Sequence, residues 1–119
     1  MSKFTDVYVL PVPNDKLDAY RRLAEDMAKV WRKHGALEVI ELVADDVKPG
    51  VRTSFPQSVH LEPHETVVVA WITFASRADR DRICGAVMKD PLFANMDPAT
   101  MPVDGKRMFW GGFKPLVTM

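Results

Sequence analysis

Apolar residues recur along this chain with two periods, one suited to strands and one to helices. "FTDVYVL", Phe4 to Leu10, is β-branched and aromatic and predicts a first strand, ended by Pro11 and Pro13, which cannot extend a ladder. Asn14 then reads as a helix N-cap with Asp15 in the first turn. Leu17, Tyr20, Ala24, Met27 and Trp31 follow at spacings of three and four, a single apolar helical face opposite Arg21, Arg22, Glu25, Asp26 and Lys29. Gly35 after His34 predicts the stop, because glycine takes the left-handed conformation without a Cβ clash. "ALEVIELVA", Ala36 to Ala44, and "TVVVAWITF", Thr66 to Phe74, predict strands two and three. Ser76 with Asp79 resembles a capping box opening a second helix, whose apolar side is Ala78, Ile83, Ala86 and Val87. Asp90-Pro91 and Asp97-Pro98 each cap a short further turn, and "RMFWGGF", Arg107 to Phe113, predicts strand four.

The order β-α-β, long connection, β-α-β predicts one domain over residues 1–119. It is an α+β ferredoxin-like sandwich, a four-stranded antiparallel sheet with helices on one face. Strand three puts Val67, Val69, Trp71 and Thr73 on one side and Val68, Ala70, Ile72 and Phe74 on the other. Neither set suits water, so the face without helices implies a homodimer with two sheets facing each other.

Composition narrows the classes. The 119 residues are 47% hydrophobic, enough for one real core. Sixteen basic and sixteen acidic residues cancel, so the net pull toward phosphate that nucleic-acid binding needs is missing, and no nucleic-acid partner is expected. Cys84 is alone, which excludes an intrachain disulfide and a cysteine-rich zinc site. No stretch approaches a signal peptide or the roughly 20 apolar residues of a membrane span, so a cytoplasmic protein with no membrane partner is expected.

"PVPNDKLDAYRRLAE", "VWRKHGALE", "DDVKPGVRTSFPQSV", "SRADRDR", "VMKDP" and "MPVDGKRMFWGGFK" closely resemble the YbaA-like family of small bacterial proteins, domain of unknown function 1428. The resemblance spans nearly the whole chain. It implies the dimeric α+β barrel fold, shared with cofactor-free monooxygenases, haem-degrading enzymes and stress-response proteins, and implies no established reaction. The Asn-Trp-His constellation of the oxygenases has no counterpart here, and fold alone does not fix function.

Several residues invite chemistry. Asp6 and Glu41 each interrupt an apolar strand. With Asp6 on the barrel-facing side beside Phe4, Tyr8 and Leu10, desolvation would raise its pKa and suit a general acid or base. Pairing with Arg107 or a place at a wet barrel rim is the structural alternative for either. Trp71 and Trp110 lie on strands, placed to line a cavity or to pack in the core or dimer interface. The two glycines of "WGGF" suggest a bulge or a close approach by another backbone. The connection from Asp45 to Glu65 exceeds the roughly 12–15 residues usual for structureless loops. It reads as an arm packing Phe55 and Val59 on a partner subunit, as a pocket lid offering Arg52, Thr53, Ser54 and Gln57 to a small polar ligand, or as a mobile loop. His34, His60 and His64 lack the short spacing of structural zinc ligands, so no metal is expected. Phosphate-cradling glycine motifs are absent, and no cofactor is expected.

Two function classes follow. One is a homodimeric small-molecule-binding or stress-response module whose barrel interior, between the paired sheets, holds an apolar or mixed ligand without turnover. The other is a cofactor-independent enzyme, monooxygenase-like or isomerase-like, with Asp6, Glu41 or a loop residue carrying a proton. Arg52, Ser54, Trp71 and Trp110 are the ligand-binding candidates.

Overall fold

The structure, a computed structural model, describes residues 3–119 and realises the β-α-β, β-α-β order. Phe4–Pro13 (β1), Glu38–Val43 (β2), Glu65–Phe74 (β3) and Phe109–Phe113 (β4) form one antiparallel sheet in the order β2-β3-β1-β4. Leu17–Lys33 (α1) and Arg77–Lys89 (α3) cross one face, with single turns at Phe55–Ser58 (α2) and Pro91–Ala94 (α4). This is the ferredoxin-like arrangement that the element order predicts.

The strand β1 does not stop at Leu10. It stays paired with β3 through Pro13, opposite Glu65. Pro11 and Pro13 lack their donors on the same side of the strand, and β4 pairs with β1 only as far as Val9. Beyond that point β1 is an edge, where proline is tolerated. Asn14 is not an N-cap either. It opens a 3-10 turn, Asn14–Lys16, that leads into α1, and its N–H donates to the His64 carbonyl at 2.8 Å. The C-terminal stop of α1 is as expected: Gly35 takes φ 118°, Gly35 N–H reaches the Arg32 carbonyl and Ala36 N–H the Trp31 carbonyl. That is the Schellman pairing, and it uses Ala36 before β2 can begin. Ser76 caps α3 by accepting from Asp79 N–H at 3.1 Å, and Asp90 caps α4 by accepting from Leu92 N–H at 3.1 Å.

The helices bury Val68, Ala70, Ile72 and Phe74 of β3 with Leu10 and Val12 of β1. Phe74, Ile83 and Val87 have no exposed surface, and each contributes about 1.5–3 kcal/mol by leaving water. Trp31 sits edge-on to both Phe74 and Phe93, each with ring centroids 6.0 Å apart.

The connection after β2 folds back over the opposite face of its own sheet. Val59 is fully buried against Val9 and Val67, so it is not free to pack on a partner as the sequence suggests. Phe55, on the same segment, stays half exposed. The segment covers only one end of that face; Leu42, Phe109 and Phe113 remain open. Arg107 locks the fold-back in place. Its guanidinium donates to both Glu65 carboxylate oxygens at 2.8 and 2.6 Å, to Asp104 at 2.8 Å, and to the carbonyls of Val59 and His60. His60 takes φ 49°, which turns its carbonyl toward Arg107.

Candidate functional site

One cross-strand row organises the helix-covered face. Glu41 pairs with Ala70, Ala70 with Tyr8, and Tyr8 with Trp110, so these four side chains lie side by side across all four strands. Neighbouring strands are about 4.8 Å apart, so a missing side chain in the row leaves room at its centre. Ala70 is that small residue. Above it α1 supplies Tyr20, Met27 and Trp31 from one helical face, and together they line a cavity of about 230 Å³. Five of the chain's seven methionines, Met27, Met88, Met96, Met101 and Met108, line this chamber. Thioethers are flexible and polarisable and fit irregular apolar ligands. A second cavity of about 290 Å³ runs between α1 and β2, and it shares Tyr20, Val39 and Glu41 with the first. Glu41 therefore stands where the two chambers meet.

The polar chemistry of the cleft is concentrated there. Tyr20 donates its hydroxyl to Glu41 Oε1 at 2.6 Å. Glu41 has solvent-accessible surface, all on an edge strand, yet protein atoms crowd its carboxyl from most sides. That crowding pushes the carboxyl above the ordinary glutamate range, against the pull of the Tyr20 hydrogen bond; solvent at the mouth moderates the rise. Burial, and then the neighbouring carboxylates, raise the phenols of Tyr8 and Tyr20 well above the tyrosine range. Both phenols are thus neutral hydrogen-bonding groups at physiological pH. Trp110 stacks on Tyr8 with ring centroids 5.7 Å apart at 22° and holds that ring against the chamber wall.

The six residues singled out from the sequence separate. Glu41 lines both chambers, and Trp110 backs one wall through Tyr8. Asp6, with Phe4, Tyr8 and Leu10, lies on the helix-covered face and not toward the barrel, because its register sets it opposite Ile72. It stands outside the cleft lining, fully buried and paired with Arg80 at 3.0 Å. Its partner is not Arg107, and neither is that of Glu41; Arg107 belongs to Glu65 and Asp104. Burial raises the Asp6 carboxyl and Arg80 opposes the rise, and Asp6 lies under a thin cover rather than at the core's centre. Oδ2 of Asp6 has no hydrogen-bond partner, and Arg80 Nε, 2.9 Å from Asp81 Oδ1, meets it as an ion pair out of line for a hydrogen bond. Gly112 faces this pair. A Cβ there would come within 2.6 Å of the Phe4 ring, so the glycine serves a side chain's close approach rather than a bulge or a second backbone.

Trp71 points to the opposite face of the sheet, where its Nε1 donates to Glu38 Oε1 at 3.3 Å. It shares no cavity with Trp110. Arg52 is exposed on the fold-back segment, and Ser54 is occupied as the cap of α2, accepting from Gln57 N–H at 3.2 Å. Gln57 in turn accepts from Gly50 N–H at 3.0 Å. The polar groups of this segment hold its own shape, and the segment lies on the far side of the sheet from the cleft. It is no lid for these chambers. His34 lies 3.5 Å from Asp90, and among the described residues no three His, Cys, Asp or Glu side chains gather as a metal-binding group.

Sequence reasoning treated Tyr8, Tyr20 and the methionines as core or passed over them. Tyr20 carried a signal: an aromatic hydroxyl on an apolar stripe needs a buried partner. The methionines carried another, since four of them cluster from Met88 to Met108 and two, Met96 and Met101, fall outside every predicted element.

Residues 3–105 match the family model described as "Protein of unknown function (DUF1428)". The chain is 40% identical over 115 residues to the uncharacterized protein YbaA of Escherichia coli strain K12, covering 97% of each. Among solved structures, it is similar to a nipsnap family protein of unknown function from Agrobacterium tumefaciens (TM-score 0.59, 16% identity, 96% of this chain and 88% of that one). It is also similar to a dimeric ferredoxin-like protein from an uncultured marine organism (TM-score 0.57, 14% identity, 100% and 98% covered). At such identities the structural likenesses establish the fold.

Proposed function

The chain belongs to the DUF1428 family, and from that premise we propose that it is a homodimeric module that binds an apolar small molecule in the cleft beneath α1. The observation that carries this reading is the chamber itself: a partly open, methionine- and aromatic-lined cleft with one hydrogen-bonding pair, Tyr20 and Glu41, at its end. Ligand sites are of this kind, mostly apolar with a few convergent polar groups. Dimerisation is supported from the other face, where Leu42, Phe109 and Phe113 are 45%, 46% and 59% exposed beside Trp71. Such a patch exceeds what a monomer usually leaves to water, and the similar marine protein is described as dimeric. Two sheets facing each other through these residues would close the barrel and leave each cleft on the outside of it. The reading places the protein in the cytoplasm, consistent with a lone cysteine.

The neutral probe phenylbutanol tests the cleft. It raises the melting temperature by mass action, and Val39→Trp, which fills the junction of the chambers, abolishes the shift. A shift that survives Val39→Trp rejects the cleft. Sedimentation equilibrium at micromolar concentration tests the dimer, and a single-subunit species rejects it.

A second reading has one specific observation behind it. Glu41 combines a raised pKa with a hydrogen bond from a neutral phenol inside a ligand-sized cleft, the setting of a general base in a cofactor-independent enzyme. Under this reading Glu41→Gln eliminates turnover found in an isomerase or oxygenase screen, and undiminished turnover excludes Glu41 as proton carrier. Asp6, sealed beneath Phe4 and paired with Arg80, is the weaker of the two carboxylates for this role.

A further inference from the structure

The charge pattern inside the cleft is lopsided. Among the described residues Glu41 forms no ion pair with any lysine, arginine or histidine, and its single side-chain partner is the neutral Tyr20. Two other carboxylates of the sheet have arginine partners, Asp6 with Arg80 and Glu65 with Arg107, while Glu38, on the opposite face and outside the cleft, accepts from the neutral Trp71 indole. The methionine-lined chamber has no cationic side chain on its walls at all. In that chamber an anionic ligand would meet Glu41 with no cation on the walls; the one arginine of the adjoining chamber, Arg21, lies there beside a second carboxylate, Glu25. Glu41 is exposed on the edge strand at the cleft mouth, where a cation entering from solvent can reach it.

From this we infer that the cleft selects an organic cation, an amine whose ammonium sits on Glu41 and whose apolar or aromatic body fills the methionine-lined chamber. The inference rests on the reading of the cleft as a small-molecule site and specifies the class of molecule. The walls suit such a body. Tyr8, Trp31 and Phe93 offer ring faces and edges to a cation or an arene, and the thioethers adapt to its outline. Tyr20 has a defined part: by donating to Oε1 it orients the carboxylate and leaves Oε2 for the ligand's N–H. The ammonium supplies the positive charge that the fold gives Asp6 and Glu65 but withholds from Glu41.

Three probes of one shape test it: phenylbutylamine, phenylbutanol and phenylbutyrate, titrated by calorimetry against the full chain. The amine binds about tenfold tighter than the alcohol, as a charge-assisted hydrogen bond requires, and the carboxylate binds weaker than both. In Glu41→Gln the amine falls to the alcohol's affinity. Equal affinity of amine and alcohol in the native protein overturns the inference and leaves the cleft reading standing; failure of both to bind overturns the two together. An amine preference that persists in Glu41→Gln overturns the role of Glu41. Should that variant fold poorly, the ratio in the native protein still decides, since it needs no substitution.

Discussion

Glu41 and Glu65 lie on the neighbouring strands β2 and β3 of one sheet, Glu41 opposite Ala70 at mid-strand and Glu65 at the start of β3 opposite Pro13, and the fold treats them in opposite ways. Glu65 receives two short hydrogen bonds from Arg107, together with the Glu62 N–H at 2.8 Å. The Arg107 hydrogen bonds hold its carboxyl below the usual glutamate range, against a smaller cost of burial. Glu41 has one phenol and an open cavity, and burial holds it above that range. The same side chain is a structural fastener in one region and a solvent-reached carboxyl without a counter-charge in the other. A carboxyl with a raised pKa at the mouth of a cleft is a candidate functional group, so the difference separates the part of the molecule built for stability from the part open to a ligand.

The sharpest way to break this comparison is to remove the fastener. Arg107→Ala leaves Glu65 buried without a counter-charge and releases the carbonyls of Val59 and His60, and it should destabilise by about 2–3 kcal/mol in urea unfolding. That is less than a wholly buried pair would lose, because solvent reaches the arginine. A loss below about 0.5 kcal/mol, the range of ordinary surface changes, would make the pair ornamental.

Next in size is the contrast between Glu65→Gln and Glu41→Gln. The first should cost about 1–2 kcal/mol, as lost charged hydrogen bonds do, while the second should change stability by under about 0.5 kcal/mol or raise it. Equal losses would mean that Glu41 is as structural as Glu65.

The smallest effect is a difference in sign with pH. Glu65 has a lowered pKa, so its contribution is complete above the unfolded glutamate value and disappears as pH falls through the folded value. Glu41 has a raised pKa. The folded protein then holds that proton more tightly than the unfolded chain, and stability falls as pH rises from the unfolded value to the folded one. Unfolding free energies of the native protein minus each Gln variant should therefore slope upward with pH below the ordinary glutamate range for Glu65, and downward above it for Glu41. Parallel slopes would contradict the opposite tuning.

How far the sequence could be read follows from the range of each interaction. The stop at Gly35 was legible because every group in the Schellman pairing lies within six residues. The caps Ser76, Asp90 and Asp97 were legible for the same reason. Pro11 and Pro13 misled because whether a proline breaks a strand depends on how far β4 extends beside it, and β4 lies near the other end of the chain. The candidate carboxylates were found because an acid in an apolar strand is conspicuous. Their partners were not: Arg80 comes 74 positions after Asp6, and Arg107 comes 42 after Glu65. Ser54 and Gln57 were read as ligand contacts because the sequence does not show that the segment they belong to needs them for its own turn.

By itself, then, the sequence determined the elements, their order and the double-sided greasiness of the sheet, because periodicity and capping act over one or two turns. Only the tertiary structure decided which face the helices cover, that Ala70 opens a space between Glu41 and Tyr8, and which arginine meets which acid. Those outcomes depend on strand register and on chain segments returning from far away, and the separation of partners along a sequence says nothing about their separation in space.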